Sequence, residues 1–172
     1  MTTAPAGRGP APYRVAVVCL GNICRSPIAH VVLADRVAAA GLDVEVVSAG
    51  TAGWHVGKPM DERSAHVLTQ AGYDASRHRG RQVTAGDLDA LDLVLAMDTQ
   101  NLADLRDLGA PDDRLLLFRA FDPEGPGDVD DPYYGGADGF TTTLAVVERT
   151  ADALVDALAA VAPAAPAAGG AR

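Results

Sequence analysis

An α/β fold with a parallel sheet covered on both faces is what this sequence predicts, and three observations carry the prediction. Short β-branched runs alternate with helical stripes along the chain, the pattern of βαβ units. Apart from Glu45 in the second, the runs are apolar between their ends, as suits strands covered on both faces. The 172 residues set the scale at one domain with room for a sizeable core.

Taken in order, "RVAVVC" (Arg14 to Cys19) reads as the first strand. Ser26 and Pro27 then serve as an N-cap and first-turn pair, and Ile28, Val31 and Val32 open a helical stripe that ends before Gly41. "DVEVVS" (Asp43 to Ser48) is the second strand. Asp61 caps a helix carrying Ala65, Leu68 and Ala71 and closed by Gly72. "DLVLAM" (Asp92 to Met97) is the third strand, after which Asp98 caps a helix with Leu102, Leu105 and Leu108 before Gly109. "RLLLF" (Arg114 to Phe118) is the fourth. The last helix holds Phe140, Leu144, Val147, Ala151, Leu154 and Leu158 on one apolar stripe. Ligands of such sheets bind beyond the carboxyl ends of the strands. One segment, Arg119 to Ala137, has neither pattern; a loop of that length is usually functional or disordered, and Tyr133 and Tyr134 argue for function.

Composition narrows the function. A net charge of −9 argues against nucleic acid or an anionic membrane as partner, because polyanions are held by Lys and Arg. The basic run "SRHRGRQ" (Ser76 to Gln82) is a local exception that reads first as a solvated loop. No apolar run is long enough for membrane insertion, and the N-terminus lacks the apolar stretch of a secretory signal. Two cysteines in that context point to a reducing, cytoplasmic location. Residues 1–12 and 162–172 are rich in Ala, Pro and Gly and are expected as disordered tails, leaving a domain over 13–161.

The chemistry concentrates in "CLGNICRS", Cys19 to Ser26, on the turn from the first strand into the first helix. A chain entering a helix presents free N–H groups and the positive end of the macrodipole. Gly21 lets the loop curl, Asn22 tolerates a left-handed backbone, and the N–H groups of Leu20, Ile23 and Cys24 complete a nest for a tetrahedral oxyanion. Arg25 can close that nest with a planar fork. The same field favours the thiolate of Cys19 as nucleophile, and the Ser26 hydroxyl can hydrogen-bond to it. Cys24, on the same tight curl, is close enough to trap an oxidised Cys19 as a disulfide, which makes it a redox residue. A zinc site is a poor fit, since the cysteines are not C-x-x-C and the four histidines show no ligand spacing. "GWHVGKP" lacks the first Gly and the Ser/Thr of a nucleotide loop.

With the filling "CLGNICRSP" near the N-terminus, the chain resembles the low-molecular-weight protein tyrosine phosphatases. Further matches are "SAGT" with Trp54, "RQVT" (Arg81 to Thr84), "MD" with "NL" (Met97 to Leu102), and "DPYYG" (Asp131 to Gly135). The resemblance implies a four-stranded parallel sheet of order 2-1-3-4. It also implies hydrolysis of phosphotyrosine in proteins, with no metal and no cofactor, through a cysteinyl-phosphate on Cys19. Asp131 would be the general acid and then the base, with Asp130 its solvated neighbour. Trp54, Tyr133 and Tyr134 would wall the cleft, and Ser48 and His78 match positions that hold the loop asparagine. Tyrosine-phosphorylated proteins and a cognate tyrosine kinase are the implied partners. Where relatives carry an acidic segment after "DPYYG", this chain has "GADGF", which alters the charge at the entrance. An arsenate reductase on the same fold would need further cysteines downstream, and none follows Cys24. A protein arginine phosphatase would place Thr where Ile23 stands. A non-catalytic binding module would lack Cys19, Arg25 or Asp131, and all three are present.

Overall fold

A computed structural model describes residues 1–167. Four strands, β1 (Tyr13–Cys19), β2 (Val44–Gly50), β3 (Leu93–Ala96) and β4 (Leu115–Leu117), form one sheet of order β2-β1-β3-β4. Every pairing is parallel: Val15 lies opposite Val46 on one side and Leu93 on the other, and Val94 lies opposite Leu115. The order implied by the family resemblance is the order found.

The helices are α1 (Arg25–Ala39), α2 (Glu62–Gln70), α3 (Ala85–Asp89), α4 (Thr99–Leu108) and α5 (Ala137–Ala159). Side chains alternate across β1, so Val15, Val17 and Cys19 face the α1 and α5 layer, while Ala16 and Val18 face α3 and α4. Ile28 and Leu33 of α1 and Phe140, Val147, Leu154 and Leu158 of α5 are wholly buried. Each such side chain contributes roughly 1.5–3 kcal/mol against exposure. Small residues, Ala16, Ala49 and Ala96, line the other face and let Leu88 and Leu105 approach.

Most helix ends follow the expected punctuation. Asp61 and Asp98 accept hydrogen bonds from Arg63 N and Asn101 N as N-caps, and Gly41, Gly72 and Gly109 carry positive φ where α1, α2 and α4 stop. Two features differ. α1 begins at Arg25, with Cys24 at the N-cap, so Ser26 and Pro27 sit inside the first turn. Proline is tolerated there because first-turn N–H groups have no helical partner, and Ser26 is thereby released from capping. α3 is an extra helix, nucleated by a reciprocal cap between Thr84 and Asp87.

The expected N-terminal tail is placed against the domain instead. Ala4 is buried, Arg8 N donates to Asp92 Oδ1 at 2.7 Å, and the Tyr13 hydroxyl donates to the Pro5 carbonyl at 2.8 Å. Main-chain bonds of this kind leave no trace in composition. At the other end, Asp43 N donates to Pro163 O and Ala165 N to Gly41 O, both at 2.8 Å, so 163–165 belongs to the domain edge. Residues 168–172 of that expected tail lie outside the described residues.

Candidate active site

The carboxyl end of β1 delivers Cys19 into a loop whose conformation is set by one residue. Asn22 has φ +56°, the left-handed conformation that lets the chain reverse over three residues, and it is fully buried. Its Nδ2 donates to Ser26 Oγ at 2.8 Å and to Ser48 Oγ at 3.1 Å. Its Oδ1 accepts from Arg81 N at 2.9 Å, and its carbonyl lies 2.7 Å from His78 Nε2. A carbonyl only accepts, so His78 carries its proton on Nε2. Burial pushes that imidazole below its ordinary range, which keeps the ring neutral. Gly50 passes directly beneath: a Cβ there would stand 2.7 Å from the Leu20 carbonyl oxygen, so only glycine fits.

The loop surrounds the sulfur with donors. Asn22 N donates to Cys19 Sγ at 3.3 Å, and Ser26 Oγ lies 3.0 Å from the same sulfur. Among the described residues, the N–H groups of Leu20, Gly21, Ile23 and Cys24 have no protein partner. They lead into the N-terminus of α1, which adds its dipole. Arg25, the first residue of α1, is buried, and its Nη1 donates to Asp98 Oδ2 at 2.6 Å and to the Val129 carbonyl at 3.1 Å. Burial works against the charge of Arg25, but Cys19, Asp98 and Asp131 outweigh it and push its pKa up. Burial, with Asp61, Asp131 and Cys19 adding, pushes the Cys24 thiol up to about 12.

Facing the sulfur is the long segment after β4. Val129 N donates to the Met97 carbonyl at 2.7 Å, which fixes the segment at the end of β3 two residues before Asp131. Asp131 Oδ1 accepts from Tyr133 N at 3.1 Å, and its Oδ2 lies 3.5 Å from Arg25 Nη2. Cys19, Arg25 and Asp131 line one cleft of about 150 Å³, with Trp54, His55, Tyr133 and Tyr134 on its walls. The two tyrosine rings meet edge to face at 4.8 Å, and the Arg63 guanidinium lies 5.5 Å from the Tyr133 ring centroid. Trp54 is 67% exposed, so it is a wall and not core. Asp130 is exposed and lines no part of the cleft.

The residues singled out from sequence therefore converge on one place: the Cys19–Ser26 loop, Asp131 and the aromatic walls around the cleft, Ser48 and His78 behind Asn22. Two participants were not foreseen. Asp98 was read only as a cap; it caps α4 through Oδ1 and holds Arg25 through Oδ2. His55 lines the cleft beside Gly21, and its only sequence signal is its place next to Trp54.

A four-donor loop around a thiol, with an arginine fork and a facing carboxylate, is suited to gripping a tetrahedral oxyanion and attacking it. Comparison with known proteins agrees. The profile of the low molecular weight phosphotyrosine protein phosphatase family matches residues 14–163. The chain is 46% identical over 155 residues to a low molecular weight protein-tyrosine-phosphatase of Streptomyces coelicolor, covering 85% of this chain and 93% of that protein. It is 43% identical over 150 residues to low molecular weight protein-tyrosine phosphatase A of Mycobacterium tuberculosis, covering 84% and 91%. The crystal structure of YfkJ from Bacillus subtilis superposes with a TM-score of 0.82 at 32% identity, covering 90% of this chain and 98% of that one. This chain belongs to the low molecular weight phosphotyrosine protein phosphatase family.

Proposed function

We propose that this phosphatase hydrolyses phosphotyrosine in proteins, and aryl phosphates generally, through a phosphorylated Cys19 and without a metal. The observation that carries the reading is the sharing of one cleft by the Cys19 sulfur, the Arg25 guanidinium and the Asp131 carboxyl. The thiolate attacks phosphorus, the bond to the aryl oxygen breaks, and Asp131 gives its proton to the leaving phenolate. Water then attacks the cysteinyl-phosphate, Asp131 takes its proton, and phosphate departs as the thiolate is restored. Arg25 and the loop N–H groups carry the charge that develops on the equatorial oxygens. Ser26, 3.0 Å from the sulfur, steadies the thiolate as it leaves.

Trp54, Tyr133 and Tyr134 set the substrate class: the nucleophile lies at the base of aromatic walls that a long aryl arm can traverse and a serine side chain cannot. Tyrosine-phosphorylated proteins and the kinase that makes them are the partners in this reading. The compartment is the reducing cytoplasm, consistent with two free thiols. Cys24 is the resolving thiol. Peroxide oxidises Cys19 to a sulfenic acid and is itself reduced to water; the Cys24 sulfur then displaces that hydroxyl, which leaves with the Cys24 proton as water, and a disulfide forms.

The test of substrate class is kcat/KM on matched phosphotyrosine and phosphoserine peptides. The phosphotyrosine peptide is expected to win by roughly a hundredfold or more. Comparable values would refute the assigned role of the aromatic walls.

A further inference from the structure

Most arginines of this acidic chain are paired with carboxylates, including Arg63 with Asp61, Arg77 with Asp74 and Arg81 with Asp87. Lys58 and Arg79 are exposed, and among the described residues no carboxylate stands within ion-pair distance of either. Arg79 Nη1 donates only to main-chain oxygens, of Ser76 and His78. Two unpaired cations would attract no notice if they lay apart. They do not: Gly57 N donates to Gly80 O at 2.8 Å and Gly80 N to Lys58 O at 2.7 Å, which joins the two segments side by side.

The joint lies against the cleft wall. Lys58 N donates to the His55 carbonyl at 3.0 Å, closing a turn that begins at a cleft-lining residue and follows Trp54 directly. A Cβ on Gly80 would run into that same His55 carbonyl oxygen, so the basic run approaches the wall as closely as a backbone can. Asn22, through His78 and Arg81 N, ties the same run to the floor of the site. The basic stretch that composition alone consigns to a solvated loop thus packs, at Gly80, against the backbone of a cleft-wall residue.

We propose that Lys58 and Arg79 form a docking strip for carboxylates flanking the phosphotyrosine of the substrate, giving the enzyme a preference for acidic sequence context. The proposal rests on the phosphotyrosine reading above. A chain of net charge −9 repels an acidic peptide at long range, so unpaired cations next to the cleft wall matter more here than on a neutral surface. The same overall charge argues against nucleic acid or an anionic bilayer as the occupant.

The experiment compares two matched phosphotyrosine peptides, one flanked by Glu and one by Lys. Wild type and a Lys58→Glu/Arg79→Glu variant are assayed at low and high salt, with p-nitrophenyl phosphate turnover as each enzyme's reference. Wild type should favour the Glu-flanked peptide roughly three- to tenfold in kcat/KM at low salt. The gap should close near about 0.5 M salt. The charge-reversed variant should invert the preference, and Lys58→Gln/Arg79→Gln should abolish it. Equal cleavage of both peptides by wild type, or an unchanged preference in both variants, overturns the docking strip and leaves the phosphatase reading intact. Failure of wild type to cleave either peptide overturns that reading instead. Loss of retention on RNA or phosphatidylserine vesicles in the variants, with peptide preference unaltered, assigns the strip to polyanions and also overturns the proposal.

Discussion

In the loop from Cys19 to Ser26, Asn22 is fully buried with each of its side-chain polar atoms engaged, and the Arg25 side chain is 3% exposed. In the segment from Arg119 to Gly136, the Asp131 side chain is 42% exposed and Tyr134 is almost wholly so. Both regions present functional groups to one cleft, yet the first presents them from a buried loop, while the second, anchored through Asp122, Asp128 and Val129, presents them from the exposed stretch that follows. The contrast follows from what the proposed mechanism asks of each. An anion nest is effective only if its donors already point at the charge, since dipoles that must reorient return little stabilisation. A proton donor must sit at the mouth, where the leaving group departs and water enters, so it cannot be buried.

That division makes the effects of substitution unequal. Cys19→Ser should lower turnover of any aryl phosphate by about 10⁴-fold or more while the fold persists, because the proposed mechanism puts the attack on phosphorus at that sulfur. Steady-state rates on p-nitrophenyl phosphate, with circular dichroism for the fold, decide this; a variant keeping a few per cent of kcat would sink the covalent mechanism.

Asp131→Asn should cost about 10²–10³-fold on a phosphotyrosine peptide and clearly less on p-nitrophenyl phosphate, whose phenolate departs without a proton. Equal losses on the two substrates, or a larger loss from Asp130→Asn, would move the acid elsewhere in the segment.

The smallest change concerns recovery rather than rate. After peroxide and then dithiothreitol, wild type should regain most of its untreated activity, and Cys24→Ser should regain little of its own. Equal recovery in the two would leave Cys24 as a packing residue of the locked loop.

Sequence and structure agree best where a single local signal decides the outcome. Short apolar runs marked the strands, Asp61 and Asp98 the caps, and three glycines the helix ends. The curl of Cys19 to Ser26 was readable because glycine, asparagine and arginine each have a backbone or charge reason to be there. What escaped depends on residues distant in the chain. Asp98 meets Arg25 across 73 positions, and its cap role gives no hint of the second oxygen's partner. The Ser-Pro pair misplaced the start of α1 by two residues, because proline is acceptable at more than one first-turn position. The N-terminal segment looked free because its anchor, Asp92, is a lone carboxylate some 80 residues away.

The strand order has a consequence for synthesis. β1 lies in the middle of the sheet, but its partner β3 leaves the ribosome only after the roughly 80 residues between Val15 and Leu93 have been made. At about 5–20 residues per second this is a delay of about 4–16 s. During that interval β1 and β2 become available to pair, whereas His78 and Arg81, which tie down Asn22, emerge only shortly before β3. The opposite edge of β1 meanwhile stays open, an apolar strand edge of the kind that invites pairing with other chains. The loop that carries Cys19 is therefore tied down late, after His78 and Arg81 have been made, and β1 is most open to misassociation before the site is complete.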